Sequence, residues 1–304
     1  MNSFLGELLI DPVSGDPLTV DAGKHQIINS RRDITYEIDQ DVPVLLPDKP
    51  VNIPQPSPIH ADYNTHFDYI DHYKRDAEYF DYFKTRTSAE ERHEERRLHE
   101  TILSNLPSGI NTVLDVGCGN GWVAAELCRR DIQVISMDIS TRNPIKSLQN
   151  TPSKNHAGLV ADVYHLPIKS KSIDCVIAAE IIEHTPDPRL FIEQLLKVVK
   201  PGGRIIITTP YNETIKYHQC VHCNRPTPSH AHLHSFNENN FDHFLPSSGI
   251  NWSYQIFSNR YLHKVRSNLF LGKTSHRSWF KTDALVNRLF PQKASRFLIR
   301  IDKE

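Results

Sequence analysis

The chain has 304 residues, a formal net charge of −1 and 38% hydrophobic content, enough for one large core and a small appendage. No apolar run reaches the roughly 18 residues of a membrane-spanning helix, and Glu7, Asp11 and Asp16 surround the first apolar patch, unlike a secretory leader. Five cysteines, an odd number at low density, fit a reducing compartment, so a cytoplasmic location is expected.

Residues 1–47 predict a separate β-rich unit. LLIDPVSGDPLTV and ITYEIDQDVPVLLP give two or three short strands, with turns at Ser14–Pro17 and Asp41. Residues 48–87 form a second segment. It opens on a linker in which Pro47, Pro50, Pro54, Pro56 and Pro58 favour extended backbone. ADYNTHFDYIDHYKRDAEYFDYF (61–83) follows, dense in acids and aromatics: Tyr63, Tyr69, Tyr73, Tyr79, Phe80, Tyr82 and Phe83. Amphipathic helices that pack the linker onto the core would explain it. Ser88 with Glu91 makes a capping box, starting a charged helix through about Leu106.

The stretch VLDVGCGNG (113–121) carries the most information. Val113 and Leu114 end a buried strand, Asp115 stands at its carboxyl edge, and Gly117, Gly119 and Gly121 turn the backbone into a helix. A side chain there would block a ligand lying against the turn, and such turns often need positive φ. The spacing is G-x-G-x-G rather than the G-x-G-x-x-G that seats a nicotinamide dinucleotide's pyrophosphate. The preceding aspartate suits an ammonium-bearing ligand better than an anion. IQVISMD (132–138) ends a second strand on Asp138, placed to meet a ribose, and GLVAD (158–162) a third on Asp162.

SIDCVIAAEIIEH (172–184) is a near-continuous apolar strand closing on Glu180, Glu183 and His184. PDPRLFIEQLLKVVK (186–200) carries apolar residues at helical spacing, and KPGGRIIITTP (200–210) supplies another strand. Strands alternating with helices predict a parallel sheet covered on both faces, with ligands at the carboxyl strand ends. FNENNFDHFLP (236–246) is predicted as a helix; NWSYQIFS (251–258) and SRFLIRID (295–302) are predicted as closing strands. Residues 251–304 hold eleven Lys or Arg against three acids, interleaved with aromatics. Such a surface suits RNA or an anionic lipid face, though it is more often a solvated face.

Within an insertion at 217–235, Cys220-x-x-Cys223 precedes His230, His232 and His234. Two thiolates across a tight turn plus two of these histidines would complete a tetrahedral structural zinc site. His232 and His234, with Cys220 and Cys223, are the expected ligand set.

The glycine turn and its downstream landmarks resemble the class I S-adenosylmethionine-dependent methyltransferases, of the type 11 kind. The resemblance implies a Rossmann-like seven-stranded α/β sheet over 88–304, with the last strand antiparallel. It implies that Asp115, Gly117, Cys118, Gly119, Gly121, Asp138, Ile139, Asp162, Val163 and Glu180 hold the cofactor. Asp162 would meet the adenine amino group, with Val163 packing on the ring. It also implies that the aromatic segment before the core covers cofactor and acceptor. His184, then Glu183, are the expected bases if the acceptor is a hydroxyl. Alternatively, both organise the start of the following helix.

Residues 1–47 resemble the small zinc-ribbon-like partner proteins of tRNA and release-factor methyltransferases. Asp11 stands where a metal-binding cysteine is expected, so this unit must hold together by packing or docking.

Three functions compete. The first is methyl transfer to a small molecule, such as a quinone, lipid or natural-product precursor, at oxygen, nitrogen or carbon. The second is methylation of RNA or a translation protein. It is weakened by IITTPYNET (206–214), which lacks the Pro-Pro-Tyr/Phe signature of amino-group methylases. The third is a non-catalytic, cofactor-binding scaffold. The sequence does not fix the oligomeric state.

Overall fold

A computed structural model describes residues 1–21, 23–47 and 67–304. Tyr63 and the prolines from Pro50 to Pro58 lie outside the described residues. The N-terminus opens with helix α1 (Ser3–Leu8), ahead of the first expected strand, and the Asn2 side chain caps it by accepting from the Phe4 amide at 3.2 Å. Strands β1 (Thr19–Asp21), β2 (Gln26–Asn29), β3 (Ile34–Asp39) and β4 (Val42–Leu45) then form an antiparallel meander.

Asp11, almost fully buried, is the hub of this unit. Its carboxylate accepts from Asn29 Nδ2 (2.7 Å), the Tyr36 hydroxyl (2.9 Å), Arg32 (3.1 Å) and the amides of Val13 and Ser14. Burial opposes its charge, yet the hydrogen bonds from Asn29, Ser14, Val13 and Tyr36 hold the carboxyl well below the usual range. A carboxylate thus gathers the loops where the resemblance expected a metal ligand.

Helices α2 (Tyr69–Tyr79) and α3 (Ala89–Ser104) come next, and the Ser88 cap is as expected, accepting from the Glu91 amide at 3.0 Å. The core alternates β5 (Thr112–Val116), α4 (Trp122–Leu127), β6 (Gln133–Asp138), α5 (Arg142–Asn150), β7 (His156–Ala161), β8 (Ile173–Ala179), α6 (Pro188–Val198) and β9 (Val199–Pro210). A small hairpin, β10 (Tyr217–Gln219) with β11 (Pro226–Pro228), precedes β12 (Ile250–Asn259). Helices α7 (Arg260–Lys264), α8 (Asn268–Leu271) and α9 (His276–Leu289) then lead to β13 (Ala294–Lys303).

One mixed sheet runs β1-β2-β3-β4-β7-β6-β5-β8-β9-β13-β12. It has eleven strands where seven were expected. The difference is at the N-terminus, where β4 pairs parallel with β7 through Val44↔Val160 and Leu45↔Ala161. The N-terminal strands therefore continue the sheet rather than forming one of their own. This covers an edge that would otherwise expose unpaired amides and carbonyls. The last strand, β13, is antiparallel between β9 and β12, as expected.

Alternation along β5 divides the core. Val113 faces the apolar cluster of Ile102, Val123, Leu127 and Trp279, while Leu114 faces that of Leu5, Phe191, Ile192 and Leu195. The segment predicted as a helix at 236–246 forms only a short turn at Phe241–Phe244. Its asparagines explain this: the Asn237 amide donates to Asn240 Oδ1 and the Asn239 amide to Asn237 Oδ1, replacing helical hydrogen bonds.

Candidate active site at the carboxyl edge of the sheet

Every expected cofactor residue falls at the carboxyl ends of β5 to β8. After β5 the backbone enters the left-handed region at Gly117 (φ +68°), Gly119 (+48°) and Gly121 (+73°). A Cβ at Gly117 would lie 2.2 Å from Ile181 Cδ1, and one at Gly121 would lie 2.1 Å from Ser147 Oγ. The Cys118 amide donates to the Met137 carbonyl at 2.9 Å, which pins the turn to β6.

Asp115 is buried, and its Oδ2 has no hydrogen-bond partner. Burial first, then the neighbouring Asp138 charge, push its carboxyl up to about 8. Asp138 is better provided for. It accepts from the Ser140 amide and Asn143 Nδ2, both at 3.0 Å, though burial still raises its pKa. Ile139 and Val163 pack partly buried against the core. Asp162 is fully buried and engaged by protein, accepting from the Tyr164 amide (3.1 Å) and the Tyr69 hydroxyl (2.7 Å). Glu180 adopts positive φ (58°) and pairs with Arg296, leaving Oε1 buried and unpartnered.

A second group sits beyond β8. The 3-10 turn Ile182–His184 carries Glu183, 1% exposed, whose Oε2 is also unpartnered. Desolvation raises the Glu183 carboxyl to about 8 and lowers His184 to about 4. The 231–234 loop is stapled here, since the amides of Leu233 and His234 donate to the Glu183 carbonyl at 2.7 and 3.3 Å. His232 thereby stacks edge-on against His184, ring centroids 4.8 Å apart, and bonds Glu213 Oε2 at 2.5 Å.

Helix α2 lies across both groups. Tyr69 reaches Asp162, and Tyr73 packs on His184 at 5.7 Å with its hydroxyl 3.4 Å from the His184 carbonyl. Its C-terminal end is anchored by Arg142, which donates to the carbonyls of Ala77 and Glu78 at 2.7 Å each. Tyr82 turns toward Gly119, while Tyr79 and Phe80 are largely exposed. The aromatic segment therefore covers the strand ends with one face only.

The expected zinc set is not brought together. Cys220 and Cys223 sit at the tip of the β10–β11 hairpin, with the Cys220 amide bonded to the Arg225 carbonyl at 2.9 Å. His234 contacts the Thr185 carbonyl at 3.0 Å. Among the described residues, the groups with metal-ligating geometry are Glu183–His184–His232 and Glu90–Glu94–His263, neither containing a cysteine. The stapling of the 231–234 loop to Glu183 is what draws His232 away from the hairpin. Sequence reading also missed Ser147, Ile181, Glu213 and Arg296, which no local pattern marks. Tyr69 and Tyr73 had a signal in their helical i, i+4 spacing.

Residues 114–207 match a protein family described as a methyltransferase domain. Over those residues the chain is similar to a methyltransferase domain. The ubiquinone biosynthesis O-methyltransferase of Psychrobacter cryohalolentis is 29% identical over 103 residues, covering 32% of this chain and 40% of that protein. The mitochondrial enzyme of the same name from Dictyostelium discoideum is 30% identical over 128 residues, covering 37% and 39%. The chain thus spans about two fifths of the length of these curated relatives. Among solved structures, an S-adenosylmethionine-dependent methyltransferase from Mesorhizobium loti is similar in fold (TM-score 0.50, 13% identity, 69% of this chain and 100% of that one). So is a protein from Pyrococcus horikoshii (0.51, 15%, 76% and 99%). Among the described residues no helix is long and apolar enough to cross a membrane.

Proposed function

We propose that this chain transfers a methyl group from S-adenosylmethionine to an oxygen of a small-molecule acceptor. The observation that carries the reading is the buried, unpartnered Asp115 Oδ2 beside a glycine turn in which Gly117 and Gly121 leave no room for side chains. An orphaned carboxyl beside such a turn fits a cationic ligand, so the residues present fit this cofactor. Gly117, Cys118, Gly119 and Gly121 would form its backbone wall, and Asp115 would face its charged end. Asp138 with Ile139 would flank the ribose, and Asp162 with Val163 the adenine. Glu180 would close the far side. When bound, the cofactor supplies a methyl group already activated on a sulfonium.

The protein's own task is then orientation, water exclusion and management of the acceptor's proton. Helix α2 excludes water through Tyr69 and Tyr73. Glu183 and His184 stand past β8, next to Ile181, and are the groups that would face an acceptor hydroxyl. The names of the relatives, O-methyltransferases of a quinone pathway, support oxygen as the methylated atom.

The three-part division at residues 47 and 87 belongs to the same proposal. In it the N-terminal strands act in cis as the zinc-ribbon-like partner proteins act in trans, with Asp11 replacing the metal. Parallel addition of β4 to β7 supports this.

The test is incubation with methyl-labelled S-adenosylmethionine and separate pools of small phenols, RNA and cell protein. Label in the phenol pool is expected. Label confined to RNA or protein, or calorimetry showing no cofactor binding, rejects the reading.

A further inference from the structure

The segment 260–293, between β12 and β13, carries a surface that the site does not use. It holds eight Lys or Arg against one acid, Asp283. That acid is fully buried and turned inward, accepting from the Ser258 and Asn259 amides at 2.9 and 2.8 Å. All eight cations are exposed, and among the described residues none of them forms an ion pair. Between them Val265, Leu269, Phe270, Leu285, Leu289 and Phe290 also stand in solvent, with Phe270 79% and Leu289 64% exposed. Packing explains why they point outward. Along α9 the row Trp279, Asp283 and Asn287 faces the core, which leaves Lys281, Leu285, Arg288 and Leu289 on the opposite side. Helices α7 and α9 meet where the Tyr261 and Phe290 rings stand edge-on at 4.9 Å. Helix α8 is held by Arg97, buried in α3, which donates to the Leu271 and Thr274 carbonyls at 2.7 and 2.9 Å.

We propose that the exposed faces of α7, α8 and α9 form a docking surface for an anionic lipid bilayer. Leu269, Phe270, Leu285 and Leu289 enter the boundary between headgroups and acyl chains, while the Lys and Arg side chains meet lipid phosphates. Exposed apolar side chains rimmed by cations are the composition of helices that lie in a membrane interface. Anionic headgroups supply the counter-charge that this segment lacks. Two other occupants fit less well. A second copy of the same face would set like charge against like charge. RNA would answer the charge, but Val265, Leu269, Leu285 and Leu289 are aliphatic and offer no flat ring on which a base stacks. The segment leaves and rejoins the sheet at its carboxyl edge: Asn259 ends β12 opposite Ala294, and Arg296, two residues on, pairs with Glu180. Docking at this surface stands apart from the methyl-transfer reading.

The experiment is flotation of the full chain, without cofactor, with vesicles of phosphatidylcholine alone or of phosphatidylcholine and phosphatidylglycerol in equal parts. The mixed vesicles should bind about tenfold or more tightly, and raising NaCl from about 0.1 M to about 0.5 M should release most of the protein. Leu285→Asn/Leu289→Asn and Lys281→Glu/Arg288→Glu should each weaken binding roughly tenfold. The charge-matched Lys24→Glu/Lys154→Glu variant, altered at exposed positions elsewhere, should bind like wild type. Thermal melts accompany each variant, and Leu269→Asn/Phe270→Asn, on a separate helix, decides the matter if an α9 variant fails to fold. Equal binding to both vesicle types, no binding to either, or an equal loss in the Lys24/Lys154 variant overturns the proposal. So does binding of a single-stranded RNA oligonucleotide, or self-association in sedimentation, that the α9 variants lose while vesicles are ignored.

Discussion

The two halves of the carboxyl edge are built differently. The half proposed for the cofactor, over β5, β6 and β7, has each acid placed at the end of its own strand, and its turn is written in nine consecutive residues. The half proposed for the acceptor, past β8, is assembled from α2, the Ile182–His184 turn and the 231–234 loop, joined by long-range hydrogen bonds. The first half is a local motif repeated along a sheet. The second exists only because distant segments are stapled to Glu183.

That contrast predicts which changes affect one half alone. The largest effect is expected from Glu183→Gln, which should lower kcat by roughly 10²–10⁴ with cofactor affinity unchanged by calorimetry; an undiminished kcat removes Glu183 from the site. Asp138→Ala should do the opposite, weakening S-adenosylmethionine binding by about 2–3 kcal/mol while leaving the melting profile near wild type. Unchanged affinity would reject the ribose assignment. Gly121→Ala combines left-handed backbone (φ +73°) with a 2.1 Å approach to Ser147 Oγ, and should lose about 1–3 kcal/mol of stability in denaturant titration.

Asp115 gives a subtler test. Its carboxyl, raised from 3.8 to about 8, ionises only as pH rises through that value. The affinity ratio of cationic S-adenosylmethionine to neutral S-adenosylhomocysteine should therefore climb with pH, by at most about tenfold per unit, and level off above 8. A flat ratio from calorimetry across that range contradicts the role. The unliganded fold shows the opposite trend. It keeps a proton that the unfolded chain releases near 4, so stability declines as pH rises from about 4 to about 8, and Asp115→Asn should flatten that decline. The smallest effect is expected from Tyr69→Phe, which removes the hydroxyl on Asp162. It should cost about 0.5–1.5 kcal/mol in thermal stability and raise the S-adenosylmethionine KM more than it lowers kcat.

Much of this was legible beforehand. The order of strands and helices from 113 to 210 and the Ser88 cap followed from periodicity and capping chemistry, and the antiparallel last strand from the resemblance. Three expectations were not met, each for a physical reason. The 236–246 helix gave way to asparagine side chains that satisfy the backbone in turns. The N-terminal unit joined the main sheet because β7 offered an unpaired edge. His232 and His234 left the cysteines because the Glu183 carbonyl accepts from the adjacent amides.

What the sequence determined by itself was everything encoded within one strand–turn–helix unit: the glycine turn, the acids at successive strand ends, the buried alternation of β5. Those signals are local, since each rests on the side-chain period or backbone freedom of a few consecutive residues. Only the tertiary structure decided what Glu183 and His232 face and which strand β4 joins. Contacts over such separations depend on how the topology brings chain segments together, and no short stretch of sequence carries that information.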